Sequence, residues 1–374
     1  MKIALDARGA NWYSGTGIGT YTSHIVKYLL KNDKDNSYLL YWCGMNYNEL
    51  NYDNLTVSIA SKKHHRFFEE TFIPVNLKKR NIDIYHVPQN GIGLPSQKSC
   101  IYISTIHDLI PYVMPETVGR SYLKKFISQM PEIIDNSKMI ITVSEFSKMD
   151  IMKIFNVPED LIKVTPLAAE NDFKPMDKVE VEKYLESKYN ITSPYILYIG
   201  GFSPRKNVKS ILIAFSRIYK NLSKDFKVVI VGQSKDEHAY LIKLCESLEI
   251  IDKVIFTGYT PYEDLPYFYN GASLFVYPSF YEGFGLPPLE AMSCGTPVIT
   301  SNVSSIPEVV GDAAVLINPF DTEELKNAIG KILEDENLQN TLSLSGLNRA
   351  KDFSWEKTAQ KTLEIYKEAY EKFK

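Results

Sequence analysis

The stretch SPYILYIGGFSPRKNVKSILIAF, residues 193–215, decides how this chain folds. Tyr195 to Ile199 form a near-continuous apolar run, Gly200 and Gly201 end it, and a helical pattern follows Asn207. A strand without a polar face is one buried on both sides, as in a parallel sheet covered by helices. The polar stretch NDFKPMDKVEVEKYLESKYNITSP (171–194) sets this βα unit apart from an equally regular series upstream.

Strand candidates on the near side of that stretch are 2–7, 38–44, 55–60, 82–88, 100–106, 139–145 and 162–168. On the far side they are 195–201, 227–233, 253–259, 273–279, 297–302 and 314–319, with helical patterns between them. The fold expected is α/β: two doubly wound Rossmann-like domains, 1–185 and 186–353, facing each other across a cleft. Ligands then belong at the carboxyl ends of the strands. At 374 residues the chain is also longer than the ~250–300 at which one core usually stops growing. The final stretch, 354–374, reads as an amphipathic helix with two placements open, closing the second domain or packing back on the first.

Composition narrows the partners. A net charge of −3, with 44% hydrophobic and 23% charged residues, excludes a general nucleic-acid binder. Cys43, Cys100, Cys245 and Cys294 are far apart, which reads as reduced thiols. No apolar run approaches 18 residues, and MKIALDARGANWY lacks a signal peptide's long apolar core, so a cytoplasmic protein is expected.

Three motifs carry chemistry. SGTGIGTYT (14–22) fails as a dinucleotide fingerprint, because Thr20 stands at the third glycine position and YWCGMN (41–46) lacks the ribose-binding acid. The turn around Gly15, Gly17 and Gly19 can still bring backbone N–H groups to an anion or a sugar, or be a plain tight turn. Arg205 and Lys206 sit at the mouth of a sheet beside a helix N-terminus. That position suits a diphosphate leaving group, and equally a solvated pair of cations. In YEGFGLPPLEAMSCG (281–295) the two prolines suit a first helical turn, with Gly295 at the C-terminal cap. Glu282 then lies in the loop and Glu290 in the first turn. Ionised carboxylates accept hydrogen bonds from vicinal hydroxyls of a hexose or a ribose. The N–H groups of Phe284, Gly285 and Leu286 lie between them. A plainer reading makes Glu290 a complement to the helix dipole and Glu282 an ordinary loop residue.

These residues carry a resemblance. FYEGFGLPPLEAMSCGTPVITSNVSSIPEVVGDAAVLINPFD (280–321) resembles the E-x7-E signature region of glycosyltransferase family 4, retaining GT-B enzymes that use nucleotide sugars. GTGIGTYT (15–22), STIHDLIPYVMPE (104–116), ITVSEFSKMDIMKIF (141–155) and YIGGFSPRKN (198–207) extend it, in the family's order, over essentially the whole chain. The resemblance implies that Arg205 and Lys206 bind the donor diphosphate and that Glu282 contacts the transferred sugar. Phe284, Gly285 and Leu286 would supply N–H groups, and Glu290 would bind the ribose. His107 would reach the donor sugar, and Gly15 and Gly17 would border acceptor and phosphates. His86 ends a strand too, and there the resemblance competes with a packed structural histidine. Two departures stand out: Ala168 and Ala169 replace a commoner glycine or asparagine, and G-T-G-I-G replaces G-G-I-G.

The implied reaction occurs at one face of the sugar, with the departing phosphate taking the acceptor proton and with no metal or other cofactor. The implied donor is GDP-mannose and the acceptor a glycan or lipid-linked glycan of a surface polysaccharide. UDP-hexose and dTDP-rhamnose stay open, because FTGYT (256–260) holds no clear base code. Residues 61–81, SKKHHRFFEETFIPVNLKKRN, interleave basic and aromatic residues, suiting either an anionic membrane surface or packing into the first domain. A non-catalytic nucleotide-sugar binder and a sugar-nucleotide epimerase are the rival classes.

Overall fold

A computed structural model of the chain describes residues 1–44, 50–60, 64–232 and 235–374. The chain divides into two units, Met1–Leu167 with Ser354–Lys374, and Ala168–Phe353. All the strand candidates form strands, shorter by a few residues at their ends. In the first unit they are β1 (Lys2–Asp6), β2 (Ser37–Trp42), β3 (Leu55–Ile59), β4 (Ile84–Val87), β5 (Ile101–Ile106), β6 (Met139–Thr142) and β7 (Ile162–Val164). The second holds β8 (Tyr195–Ile199), β9 (Lys227–Val231), β10 (Val254–Gly258), β11 (Leu274–Tyr277), β12 (Val298–Ser301) and β13 (Val315–Ile317).

Every pairing is parallel. The orders are β3-β2-β1-β4-β5-β6-β7 and β10-β9-β8-β11-β12-β13. Each sheet therefore reverses direction once, between β1 and β4 and between β8 and β11. A doubly wound sheet opens a crevice at that point. The apolar strand runs are explained by burial on both faces: β4, β5, β6, β8, β11 and β12 are buried at every residue.

Two expectations about organisation are sharpened. The division falls after Leu167 rather than at 185/186, because the helix Lys178–Tyr189 is tied to the second unit. Tyr184 Oη donates to Asp264 Oδ1 at 2.5 Å, and Lys188 Nζ lies 2.7 Å from Asp264 Oδ2. The C-terminal helix Trp355–Phe373 belongs to the first unit. It packs on the helix Gly17–Asn32, with Trp355 stacked on His24 at 4.7 Å. Thr358 Oγ1 donates to Pro166 O at 2.6 Å. Tyr366 Oη lies 2.6 Å from His86 Nδ1.

Of the basic-aromatic stretch, residues 61–63 lie outside the described residues. Phe68 is buried and stacks on Phe72 at 4.9 Å, so these two rings pack into the first unit. Phe67 points outward, 61% exposed, and Arg66, Lys78, Lys79 and Arg80 are exposed with it. No helix among the described residues is long and apolar enough to cross a membrane. All four cysteines are free thiols.

Candidate functional site

The second sheet's switch point lies between β8 and β11, and the loops leaving these two strands carry Arg205, Lys206 and Glu282. After β8 the chain passes Gly200 and Gly201 into a single 3-10 turn, Pro204–Lys206, and then into the helix Val208–Ser216. After β11 it reaches Glu282 five residues beyond Tyr277. The two loops are stitched together by backbone: Phe280 N donates to Arg205 O at 2.9 Å, and Arg205 Nη1 donates to Tyr281 O.

Three groups converge on one oxygen of Glu282. Arg205 Nη1 and Lys206 Nζ each lie 2.8 Å from Oε1, and Tyr277 Oη donates to it at 3.1 Å. Burial alone would raise this carboxyl, whose residue is only 7% exposed. The charges of Arg205 and Lys206 outweigh that penalty and hold it at about 2. Its backbone is also fixed: Glu282 N donates to Ser304 Oγ at 3.1 Å, and Ser305 Oγ donates to Glu282 O at 2.9 Å. The sequence reading gave the two cations to a diphosphate and this acid to a sugar; the structure brings the three side chains into contact with one another and adds Tyr277, Ser304 and Ser305, which that reading did not single out.

Glu290 is placed differently from expectation. Gly285, at φ +109°, starts the helix Leu286–Ser293 one residue before the prolines, so Glu290 is its fifth residue and lies beyond the first turn. The dipole explanation therefore loses its basis, since that effect fades within one turn. Glu290 is instead buried, and Tyr269 Oη donates to its Oε2 at 2.8 Å. Burial and the charge of Glu170 push its carboxyl up to about 7, against the opposing bond from Tyr269. Glu170 comes from the segment holding Ala168 and Ala169, where the sequence departs from the family pattern. A charge from that segment acts on the second acid of the E-x7-E pair. Phe284, Gly285 and Leu286 head the helix, where first-turn N–H groups have no intrahelical acceptor. Glycine is favoured at 285 by its φ of +109°, and a Cβ there would also stand 2.5 Å from Ile306 Cδ1, which would have to move.

In the first unit, Gly15 and Gly17 are exposed at the start of the helix Gly17–Asn32, which Thr16 caps by accepting from Gly19 N at 3.3 Å. Gly19 is the glycine that packing demands there, since a Cβ would stand 2.2 Å from Tyr13 O. His107 follows β5. Its Nε2 lies 2.9 Å from Pro88 O, and a carbonyl only accepts, so Nε2 carries the proton. Burial lowers the ring's pKa to about 4. A neutral ring protonated at Nε2 presents Nδ1 as an acceptor and is a poor acid or base near neutrality. His86 is structural: Tyr366 Oη and Thr105 Oγ1 stand 2.6 and 2.8 Å from its two ring nitrogens, in a fully buried setting. A further pair escaped the sequence reading. At the end of β1, Arg8 donates to both oxygens of Asp6 at 2.8 and 2.6 Å, with both side chains fully buried.

Two parallel Rossmann-like sheets, the second carrying a cation pair on a buried acid at its switch point, are the architecture of the GT-B fold. The family model described as glycosyl transferases group 1 matches residues 183–349. O-antigen chain mannosyltransferase B of Escherichia coli is 37% identical over 284 residues, 76% of this chain and 74% of that protein. Serotype-specific mannosyltransferase WbdA of Escherichia coli is 31% identical over 281 residues, 74% of this chain, which spans only 34% of that longer protein. Among solved structures, sucrose-phosphate synthase from Thermosynechococcus elongatus shares the fold, with TM-score 0.78 and 21% identity over 99% of both chains. The chain belongs to the group 1 glycosyltransferases, of the family 4 type, and its enzyme class is hexosyltransferase.

Proposed function

We propose that this glycosyltransferase moves mannose from GDP-mannose, with retention at the anomeric carbon, onto a glycan or lipid-linked glycan during surface-polysaccharide synthesis. The observation that carries the chemistry is the convergence of Arg205 and Lys206 on Glu282 at the ends of β8 and β11. Two cations beside a helix start suit a diphosphate whose negative charge grows as its bond to the sugar breaks. Glu282 gives the sugar hydroxyls an acceptor, and Glu290 binds the ribose diol. The choice of mannose rests on the 37% identity to a mannosyltransferase.

A double displacement needs a nucleophile, and a simple displacement needs a base. Glu282, held at about 2 by two cations, is a poor candidate for either role. The acceptor oxygen therefore bonds to the anomeric carbon on the face from which the diphosphate leaves. The acceptor's proton passes to the departing phosphate oxygen. Arg205 and Lys206 take over the charge-neutralising role of a divalent cation, so transfer persists in excess chelator.

Phe67, exposed next to the exposed Arg66, offers a small apolar contact beside a cation, suited to an anionic bilayer. Sedimentation with phosphatidylglycerol vesicles, against phosphatidylcholine alone, tests that contact.

The central experiment measures nucleotide release from GDP-mannose, UDP-glucose and dTDP-rhamnose, with and without an acceptor glycan, and determines the product anomer by NMR. Acceptor-dependent GDP release with an α-mannoside product supports the reading. UDP or dTDP release replaces the donor. Turnover independent of acceptor indicates an epimerase, and binding without turnover a non-catalytic protein.

A further inference from the structure

Tyr277 ends β11, inside an apolar run where a tyrosine reads as core, and its ring is indeed core. It is 1% exposed and stacks on Tyr198 at 6.0 Å and 17° and on Phe275 at 5.9 Å and 19°. Tyr198 is itself pinned, its hydroxyl donating to Gly201 O at 2.6 Å. The Tyr277 ring is thus held on both sides by the sheet, and only its hydroxyl leaves the core. That hydroxyl accepts from Lys206 Nζ at 2.5 Å and donates to Glu282 Oε1 at 3.1 Å.

A lysine ammonium is a compact charge on a flexible four-carbon stem, so its position is set by whatever its protons meet. Glu282 meets Lys206 through one carboxylate oxygen. Tyr277 adds a second anchor, rooted in a strand buried at every residue, and orients Glu282 through its own oxygen atom. The geometry points to Tyr277 as a positioning residue for leaving-group departure: its hydroxyl fixes the Lys206 ammonium and the Glu282 carboxylate in one arrangement facing the donor diphosphate. This rests on the reading of Arg205 and Lys206 as the diphosphate site.

Tyr277→Phe keeps the ring, its stacking and its burial, and removes both hydrogen bonds. A positioning role acts where charge develops, so kcat should fall by about tenfold or more while the donor KM changes less than about threefold. Tyr277→Phe and Lys206→Ala should also be non-additive. In the Lys206→Ala background the phenylalanine substitution should lower kcat by clearly less than it does in the wild type, because one of the two groups it positions is gone. Thermal denaturation of Tyr277→Phe should stay close to the wild type.

Wild-type kcat in Tyr277→Phe, in an enzyme that Lys206→Ala disables, overturns this inference and leaves the site reading standing. Full additivity of the two substitutions overturns it as well, since a merely structural tyrosine acts independently of Lys206. If Lys206→Ala itself transfers normally, the diphosphate-site reading fails first.

Discussion

The Lys206 ammonium and the Glu282 carboxylate lie 2.8 Å apart, and Arg205 Nη1 reaches the same oxygen from 2.8 Å. Within the chain itself, Glu282 is the counter-charge of the two cations. On the proposed reading, a donor diphosphate would compete with a carboxylate that is already in place and mostly buried. Glu282 lowers the positive potential around the two cations while keeping them together on one oxygen.

This arrangement separates binding from transfer. Glu282→Ala should bind a free nucleoside diphosphate more tightly than the wild type, since the competing anion is gone. Its transfer rate should nonetheless fall by roughly 100-fold or more, as expected when a preorganised charge cluster is dismantled. Lys206→Ala should weaken both properties. Titration calorimetry with GDP and initial transfer rates measure the two effects. Transfer near wild type in both variants would remove these residues from the reaction.

The pH dependence follows from Glu290. Its carboxyl is pushed up to about 7 by burial and by Glu170. The ionised form accepts both hydroxyls of a ribose diol, so donor affinity should rise as pH increases through neutrality. Glu290→Gln should bind donor weakly with a flat profile. Glu170→Gln removes a like charge and should move the rise to lower pH. The contribution to stability has the opposite sign. A carboxyl whose pKa is higher folded than unfolded stabilises the fold below its ordinary value near 4.5, and that contribution is lost as pH climbs through about 7. Glu282, lowered to about 2, stabilises above 4.5 and loses this contribution only as pH falls towards 2. Donor affinities and melting temperatures across the neutral range, for wild type and the three carboxyl variants, check each sign.

The sheets were legible because their strands are buried on both faces, which leaves unbroken apolar runs such as Tyr195–Ile199 and Leu274–Tyr277. Arg205, Lys206 and Glu282 were legible because charged residues directly after such runs must lie at strand ends. Tyr277 and Tyr269 were not, since a tyrosine in an apolar run looks like core and its hydroxyl partner is a spatial fact. Glu170 was hidden for a related reason: its neighbour Glu290 is distant in sequence. The helix Lys178–Tyr189 buries only Val181 and Leu185, so its attachment to the second unit had no apolar stripe to announce it. That attachment runs through Asp264, whose partners Tyr184 and Lys188 read as surface residues.

Gly285 is a sharp test of the loop before Glu290. At φ +109°, with Ile306 Cδ1 2.5 Å from where a Cβ would stand, alanine is both strained and obstructed. Gly285→Ala should cost about 1–3 kcal/mol of stability. It should also weaken donor binding, because the helix start carrying Phe284 and Leu286 has to shift. Chemical denaturation and donor titration together measure this. Unchanged stability would mean that the loop relaxes freely.

The pair Asp6–Arg8 tests how the first unit is held together. Arg8 is fully buried, bonded to both Asp6 oxygens and 3.1 Å from Glu69 Oε1, with its guanidinium 4.4 Å from the Trp12 ring centroid. Burial by itself would lower the arginine's pKa, and the charge of Asp6 more than reverses that, so the cation is kept. Asp6→Asn leaves a buried charge short of its main partner and should cost about 3–5 kcal/mol. Glu69→Gln should cost much less, because its carboxylate lies at the partly exposed edge of the cluster and Arg8 keeps both bonds to Asp6. Replacing Asp6 and Arg8 together by apolar residues of similar volume should cost less than Asp6→Asn alone, since the desolvation of two charges disappears with their attraction. Urea midpoints for the three variants decide it. If Asp6→Asn proves as mild as Glu69→Gln, the Arg8 charge must be balanced by Glu69 rather than by Asp6.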